Sequence, residues 1–351
     1  MAGTRTRYVN AASAGGDGTT QDLAGGSAAY ASLSTALAGE VDDLPTADVV
    51  LEIICEGSTA DTTSVAHNDS WVTDATRYVI IKPGASDVHP GYWDTGKYRF
   101  SGTTHAADTF QITSIDHLII EGLQIERANG FGGAAAEVIE FLSGFDAGWV
   151  KVRDCIIRLN HTDGSDAVDG IIGLKDSSPT YYFSNNMIGI ASTSQHDSVG
   201  SLIKVNQGGV TIHLHNNTFK GVATVGIDCG DSTWHLKNNI VDGATTCISG
   251  TPTTERYNST SDGTGTGTGS RDTQSFTYEG ADDWRITSGD AGAKDFGEDL
   301  SGDGSLAITD DIVGTDRTSG TYDIGAFEVV GAGDPVAPLA AAYNQMLRGG
   351  A

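Results

Sequence analysis

Residues 181–188, YYFSNNMI, and residues 212–219, IHLHNNTF, decide the fold. Both run apolar, any, apolar, any, then a polar pair, then an apolar residue three positions after the first member of that pair. LIIEGLQI (118–125), VKVRDCII (150–157) and WHLKNNIV (234–241) share the shape. The first members of the pairs, Gly122, Asp154, Asn185, Asn216 and Asn238, are spaced 32, 31, 31 and 22 residues apart. A second short apolar run precedes each segment, at Phe110, Ile139, Ile172, Ile203 and Ile227.

Two alternating strands, a two-residue corner and a third short strand make one coil of a solenoid. Hairpins with two-residue loops would not leave a 31-residue period. The reading is all-β: a right-handed parallel β-helix. Period-two alternation turns Phe110, Ile112, Ile139, Phe141, Ile172, Leu174, Ile203, Val205 and Ile227 inward as one stacked column. Asn suits the corner because its short amide side chain tolerates the left-handed conformation, and amides one coil apart can stack.

Working outward, VVLEIICEG from Val49 and RYVIIKPG from Arg77 read as earlier coils. Residues 1–48 read as an arm with a capping helix, since Tyr30, Leu33 and Leu37 share one helical face. The β-helix proper is expected over 49–258, and the Gly/Thr-rich stretch 259–272 as a loop. C-terminal coils with acidic turns follow over 273–330, then a linker and docking helix over 331–351. In that helix Leu339, Tyr343, Met346 and Leu347 recur at helical spacing and form a candidate interface.

Composition narrows the function. The 351 residues carry 46 acidic side chains against 20 basic ones, a formal charge of -26. That opposes phosphate backbones and anionic lipid, so neither nucleic acid nor membrane is an expected partner. Eight lysines against 35 aspartates also fit a chain kept hydrated in concentrated salt. The opening residues lack an apolar h-region, which points away from export. Cys55, Cys155, Cys229 and Cys247 have no C-x-x-C spacing and read as buried free thiols.

The opening YVNAASAGGDGT with AAYASLSTAL, the Asn-rich coils and the closing DIVGTDRTSGTYDIGAFE resemble the pectate-lyase-like β-helix proteins of bacteria and tailed viruses. The resemblance runs from Tyr8 to about Glu328, with Asp323–Glu328, DIGAFE, its most specific piece. It implies the fold strongly and the activity weakly, because that fold hosts lyases, esterases, hydrolases, adhesins and inert virion parts.

Candidate chemistry is sparse. Gln111, Glu140, Gly173, Lys204 and Asp228 point out of the first strand column, where β-helix polysaccharide enzymes hold substrate. Glu140 and Asp228 lie three coils apart, on the order of 14 Å at roughly 4.8 Å per coil. A glycosidase pair needs about 5 to 9.5 Å. If the chain is an enzyme, Lys204 and Asp228 are the catalytic residues. His213, His215 and His235 read as an outward ladder. Asp299, Ser301, Asp303 and Asp310 follow calcium-loop spacing, and Asp163, Asp166 and Asp169 form a second acidic loop; calcium is the one cofactor implied.

The function expected is a structural, non-enzymatic virion protein of a tailed virus, decorating the capsid or forming part of the tail or a fibre. Its partners would be the major capsid or tail proteins and a host-surface glycan, with a homotrimer suiting either viral role. It would sit in the virion, assembled in the host cytoplasm. A tailspike-like polysaccharide lyase or hydrolase and a cell-surface adhesin are the alternatives.

Overall fold

A computed structural model describes residues 2–67, 70–102, 110–128, 137–161, 167–192, 194, 198–318 and 320–330. Its strands form three sheets of nine, seven and seven members, and every strand pairing in them is parallel. The chain is a right-handed parallel β-helix. One coil runs from Trp149–Arg153 in sheet I, through the Asp154–Cys155 corner, to Ile156–Leu159 in sheet II. It then crosses to Ala167–Leu174 in sheet III and returns to sheet I at Thr180–Ser184.

The expected inner column is buried: Phe110, Ile112, Ile139, Phe141, Ile172, Leu174, Ile203 and Ile227 are fully enclosed, and Val205 packs beside them half-buried. Sheets I and II add their own columns, among them Val150, Tyr181, Ile212 and Trp234, and Ile125, Ile157, Ile188 and Phe219. The four cysteines are free and buried in the same interior.

The two corner residues divide the work. The first members, Gly122, Asp154, Asn185, Asn216 and Asn238, take positive φ between 53° and 65°, as does Tyr257 at 52°. The second members, Asn186, Asn217, Asn239 and Asn258, form the buried amide ladder. Each of the first three donates its side-chain amide to the next Oδ1, at 2.9, 3.1 and 2.9 Å. Each of the four also donates to a carbonyl, at 2.7–3.1 Å. Backbone amides close the circuit: Cys155, Asn186, Asn217 and Asn239 all donate to the following Oδ1 at 2.9–3.0 Å. A buried polar row survives only when every member is satisfied in this way.

Both ends differ from the sequence reading. Gly3–Asn10, expected in an arm, is the first strand of sheet I and pairs with Val49–Glu56 along its length. The capping helix is present as Leu33–Gly39, with Ser32 accepting the Thr35 amide at its N-terminus and Leu33, Ala36 and Leu37 facing the core. At the other end, residues 259–272 are a further irregular coil and not a loose loop. Ser259–Thr260 closes sheet II, bridges join Arg256 to Thr268 and Ser259 to Arg271, and Ser270 Oγ accepts the Asn258 amide to end the ladder. Its glycines permit the approach: a Cβ on Gly267 would lie 2.1 Å from the Glu255 carbonyl oxygen.

Residues 273–330 are not additional coils. They form a strap that makes two out-and-back passes over the outside of the solenoid. The first reaches Gly189, where Trp284 packs, and returns to Ser259 through Gly292. The second crosses Asn238, His215 and Asn185 in turn and returns to Asn238 through Gly325. Strap residues Trp284, Ile312 and Ala326 cover Ile156 and Met187 on the outer face of sheet II, and Ile286 and Ile324 cover Ile240. The candidate interface at Leu339, Tyr343, Met346 and Leu347 lies outside the described residues, as does the expected C-terminal helix.

Candidate functional site

The outer column of sheet III is assembled in the expected register: Gln111 beside Glu140, Glu140 beside Gly173, Gly173 beside Lys204, and Lys204 beside Asp228. Glu140 and Asp228 are thus three coils apart, too far for a shared acid and base. The side chains, however, do not pair as the register suggests. Lys204 turns away from Asp228 and meets Asp169, with Glu137 Oε1 at 3.8 Å. Lys175 bonds Glu140 and lies 3.6 Å from Glu137 Oε2. Gln111 Nε2 donates to Glu140 Oε2 at 2.6 Å.

Glu137 is the hub that the sequence concealed. It lies just before the strand Ile139–Phe141, yet its carboxylate reaches across to the next coil because residue 173 is glycine. A Cβ at that position would be 2.8 Å from Glu137 Oε1. Glu137 is wholly buried and Glu140 is 1% exposed. Three carboxylates and two ammoniums therefore face one another over adjacent coils, one negative charge in excess among the five, with Asp169 the most open member. So held, Lys204 is a charge partner within the column, and Asp228 stands apart from it.

Sheet I carries a second row on its outer face. Tyr182 and His213 stack at 4.9 Å and 8°, His213 and His235 at 4.6 Å and 17°, and Lys151 lies over the Trp149 ring at 4.3 Å. The rings face one another along the solenoid axis, so both flat sides of His213 are covered by the stack. His213 and His235 form the ladder, while His215 meets His213 edge-on; His213 and His215 are buried, and His215 Nδ1 donates to the Leu306 carbonyl of the strap at 3.3 Å. Burial brings His213 down to about 4 and His215 to about 3, so both imidazoles are neutral at pH 7.

The acidic segment 299–310 serves the strap. Asp299 accepts the Ser301 amide at 2.8 Å, and Asp303 accepts those of Ser305 and Leu306 at 3.0 Å while ion-pairing with Lys237. Burial raises the Asp303 carboxyl, but Lys237 and the two amides outweigh it and bring it to about 2. The Asp310 carbonyl accepts from Asn185 Nδ2 at 3.0 Å, and burial together with neighbouring Asp311 pushes its carboxyl up to about 6. Among the described residues no three His, Cys, Asp or Glu side chains gather as metal ligands. Asp163 and Asp166 lie outside the described residues. Nor, among those residues, is any helix long and apolar enough to cross a membrane.

No protein-family model matches the chain, and no curated protein matches it. Among solved structures it is similar to the crystal structure of pectate lyase Pel9A, with 12% identity over 93% of this chain and 97% of that one, and a TM-score of 0.32. So remote a likeness carries nothing about activity.

Proposed function

We propose that this chain is a structural, non-enzymatic β-helix of a tailed-virus particle, a component of the tail or a fibre or a decoration of the capsid. The observation behind this reading is the ion-paired column on sheet III. The face where a polysaccharide enzyme would present its acid and base here holds Glu137 and Glu140 buried, and Lys175 and Lys204 paired with carboxylates. The ends support a rod. Leu33–Gly39 closes one, and at the other Asp262 and Thr264 side chains accept the amides of Cys247 and Ile248, blunting the last strand of sheet III against edge pairing. A charge of -26 keeps such rods apart in solution. The resemblance to β-helix proteins of tailed viruses points the same way, and capsid or tail proteins, a second and third copy, and a host glycan are the partners proposed with it.

Mass spectrometry of purified particles, with copy number relative to the major shell protein, tests this. Hundreds of copies indicate decoration and a handful indicate the tail; absence from particles ends the virion reading. A polysaccharide lyase or hydrolase is the second reading, favoured by two glutamates that reach one lysine on the sheet III face. Release of reducing ends or unsaturated uronate from host polysaccharide, abolished by Glu140→Gln, would establish it and displace the first.

A further inference from the structure

We propose that strap residues Asp311–Glu328 form a proton-operated clasp, which grips sheet II when Glu328 is protonated and loosens when Glu328 is ionised. Three carboxylates, Asp311, Asp323 and Glu328, and one guanidinium, Arg317, are buried together there, with exposures of 0, 0, 9 and 2%. The guanidinium is largely engaged elsewhere: Nη1 and Nη2 donate to the carbonyls of Asp323 and Gly325 at 3.2 and 3.0 Å, leaving Nε 3.2 Å from Glu328.

The three acids are not equivalent. Asp311 accepts the amides of Val313, Thr315 and Glu328 at 2.9, 2.7 and 2.9 Å, and Asp323 accepts those of Asp295 and Val329 at 2.7 and 2.6 Å. Burial raises both carboxyls above the ordinary 3.8, and these amide donors oppose the shift by favouring the anion. Glu328 accepts one amide, from Asp323 at 3.1 Å, and faces two aspartates. It is the member for which a proton is the most economical neutraliser. Burial, opposed by Arg317 and reinforced by Asp323 and Asp311, brings it to about 7. Lys294 and Tyr322 are the other titratable groups within electrostatic reach of Glu328, and Asp295 lies beside Asp323.

The sign follows from linkage. A carboxyl whose folded value lies above its ordinary 4.5 favours the closed clasp fully below 4.5, and that preference is lost as pH rises through about 7. The clasp holds Ile312, Ile324 and Ala326 against Ile156, Met187 and Ile240, so opening bares an apolar stripe on sheet II. Gly325 makes the grip tight: a Cβ there would lie 2.6 Å from Ile240 Cδ1. The His213 and His215 imidazoles, at about 4 and 3, stay neutral between pH 5 and 8 and leave the response in that range to the carboxyls. The readout must separate the clasp from the coils beneath it.

Hydrogen exchange of the full chain between pH 5 and 8, corrected for intrinsic rates, supplies it. Peptides spanning 311–329 should lose protection on the order of 10- to 100-fold as pH rises, while coil peptides over 181–190 stay level. Glu328→Gln should keep the strap protected at pH 8 and reduce its pH dependence to the part that neighbouring Asp310, raised to about 6, supplies. Strap protection that does not change with pH in the parent protein overturns the proposal, whether or not the variant folds. So does a folded variant that retains the parent's dependence.

Discussion

Neighbouring asparagines at one corner should respond to substitution in opposite ways. Asn217 is fully buried and five polar contacts pass through its side chain: it accepts from the Asn186 backbone and side-chain amides, and its two amide hydrogens are shared among Phe183 O, His215 O and Asn239 Oδ1. Asn217→Leu keeps the volume and removes all five. The Asn186 N–H is then left without a partner, a cost of about 1–3 kcal/mol, and the other losses add about 0.5–1 kcal/mol each where the remaining group keeps a second partner. The expected penalty is about 4 kcal/mol. Asn216 takes φ of 54° and its Oδ1 has no hydrogen-bond partner. Asn216→Gly places there the residue that the left-handed region favours and should change stability by less than about 1 kcal/mol. Urea unfolding followed by far-UV circular dichroism measures both. If Asn217→Leu costs under 1 kcal/mol, or the two variants lose equal stability, the separation of corner and ladder roles is wrong.

Gly267→Ala should lower the urea midpoint by the equivalent of about 1–3 kcal/mol through overpacking on Glu255, while Gly302→Ala, with open space around it, leaves the midpoint unchanged. Asp228→Asn should be silent in thermal melts, because Asp228 stands apart from the sheet III cluster; Lys204→Ala should lower the midpoint by removing a charge partner from buried Glu137. Lys237→Met should destabilise the strap by about 2 kcal/mol at pH 6. Because Asp303 is held below its ordinary 3.8, its contribution is present above that value and lost as pH falls through about 2; parent and variant should therefore converge in acid-unfolding curves.

The solenoid was legible because its signal is periodic. Alternation at Tyr181–Ser184 and Ile212–His215, repeated at 31 residues, fixes strand, face and register together, and the inner column from Phe110 to Ile227 followed directly. The division of labour within each Asn pair was not legible, since both positions read simply as polar. Position 155 shows why: a cysteine stands there, and the ladder ends at its backbone amide. The strap leaves no periodic signal in the sequence for a different reason. Its contacts join residues far apart in sequence, such as Asn185 with Asp310 and Thr218 with Ala326, and it has few strands to reveal a period. His215 alternates outward, yet it is buried where the Leu306 stretch of that strap meets it. The same gap hid Glu137, whose reach depends on the absence of a side chain at Gly173 in the following coil.

The strap and corners also account for the aspartate excess without appeal to salt. Asp outnumbers Glu 35 to 11. At Asp17, Asp61, Asp74, Asp94, Asp176, Asp262, Asp290, Asp299, Asp303, Asp311 and Asp316 the carboxylate accepts the backbone amide two residues on. Only a short side chain can close that turn, which is why Glu does not substitute and why the bias falls on Asp alone. A solenoid needs three changes of direction per coil, and the strap needs more. Turn geometry thus accounts for aspartate over glutamate at these positions. The few basic residues are placed where carboxylates from successive coils or from the strap would otherwise face one another, as Arg153 with Glu121, Arg158 with Glu126, and Arg256 with Glu298. Replacing the exposed turn aspartates Asp17, Asp299 and Asp316 by asparagine would make the net charge less negative and keep the turns, so solubility should change while the thermal midpoint holds. A surface selected for salt would show the reverse.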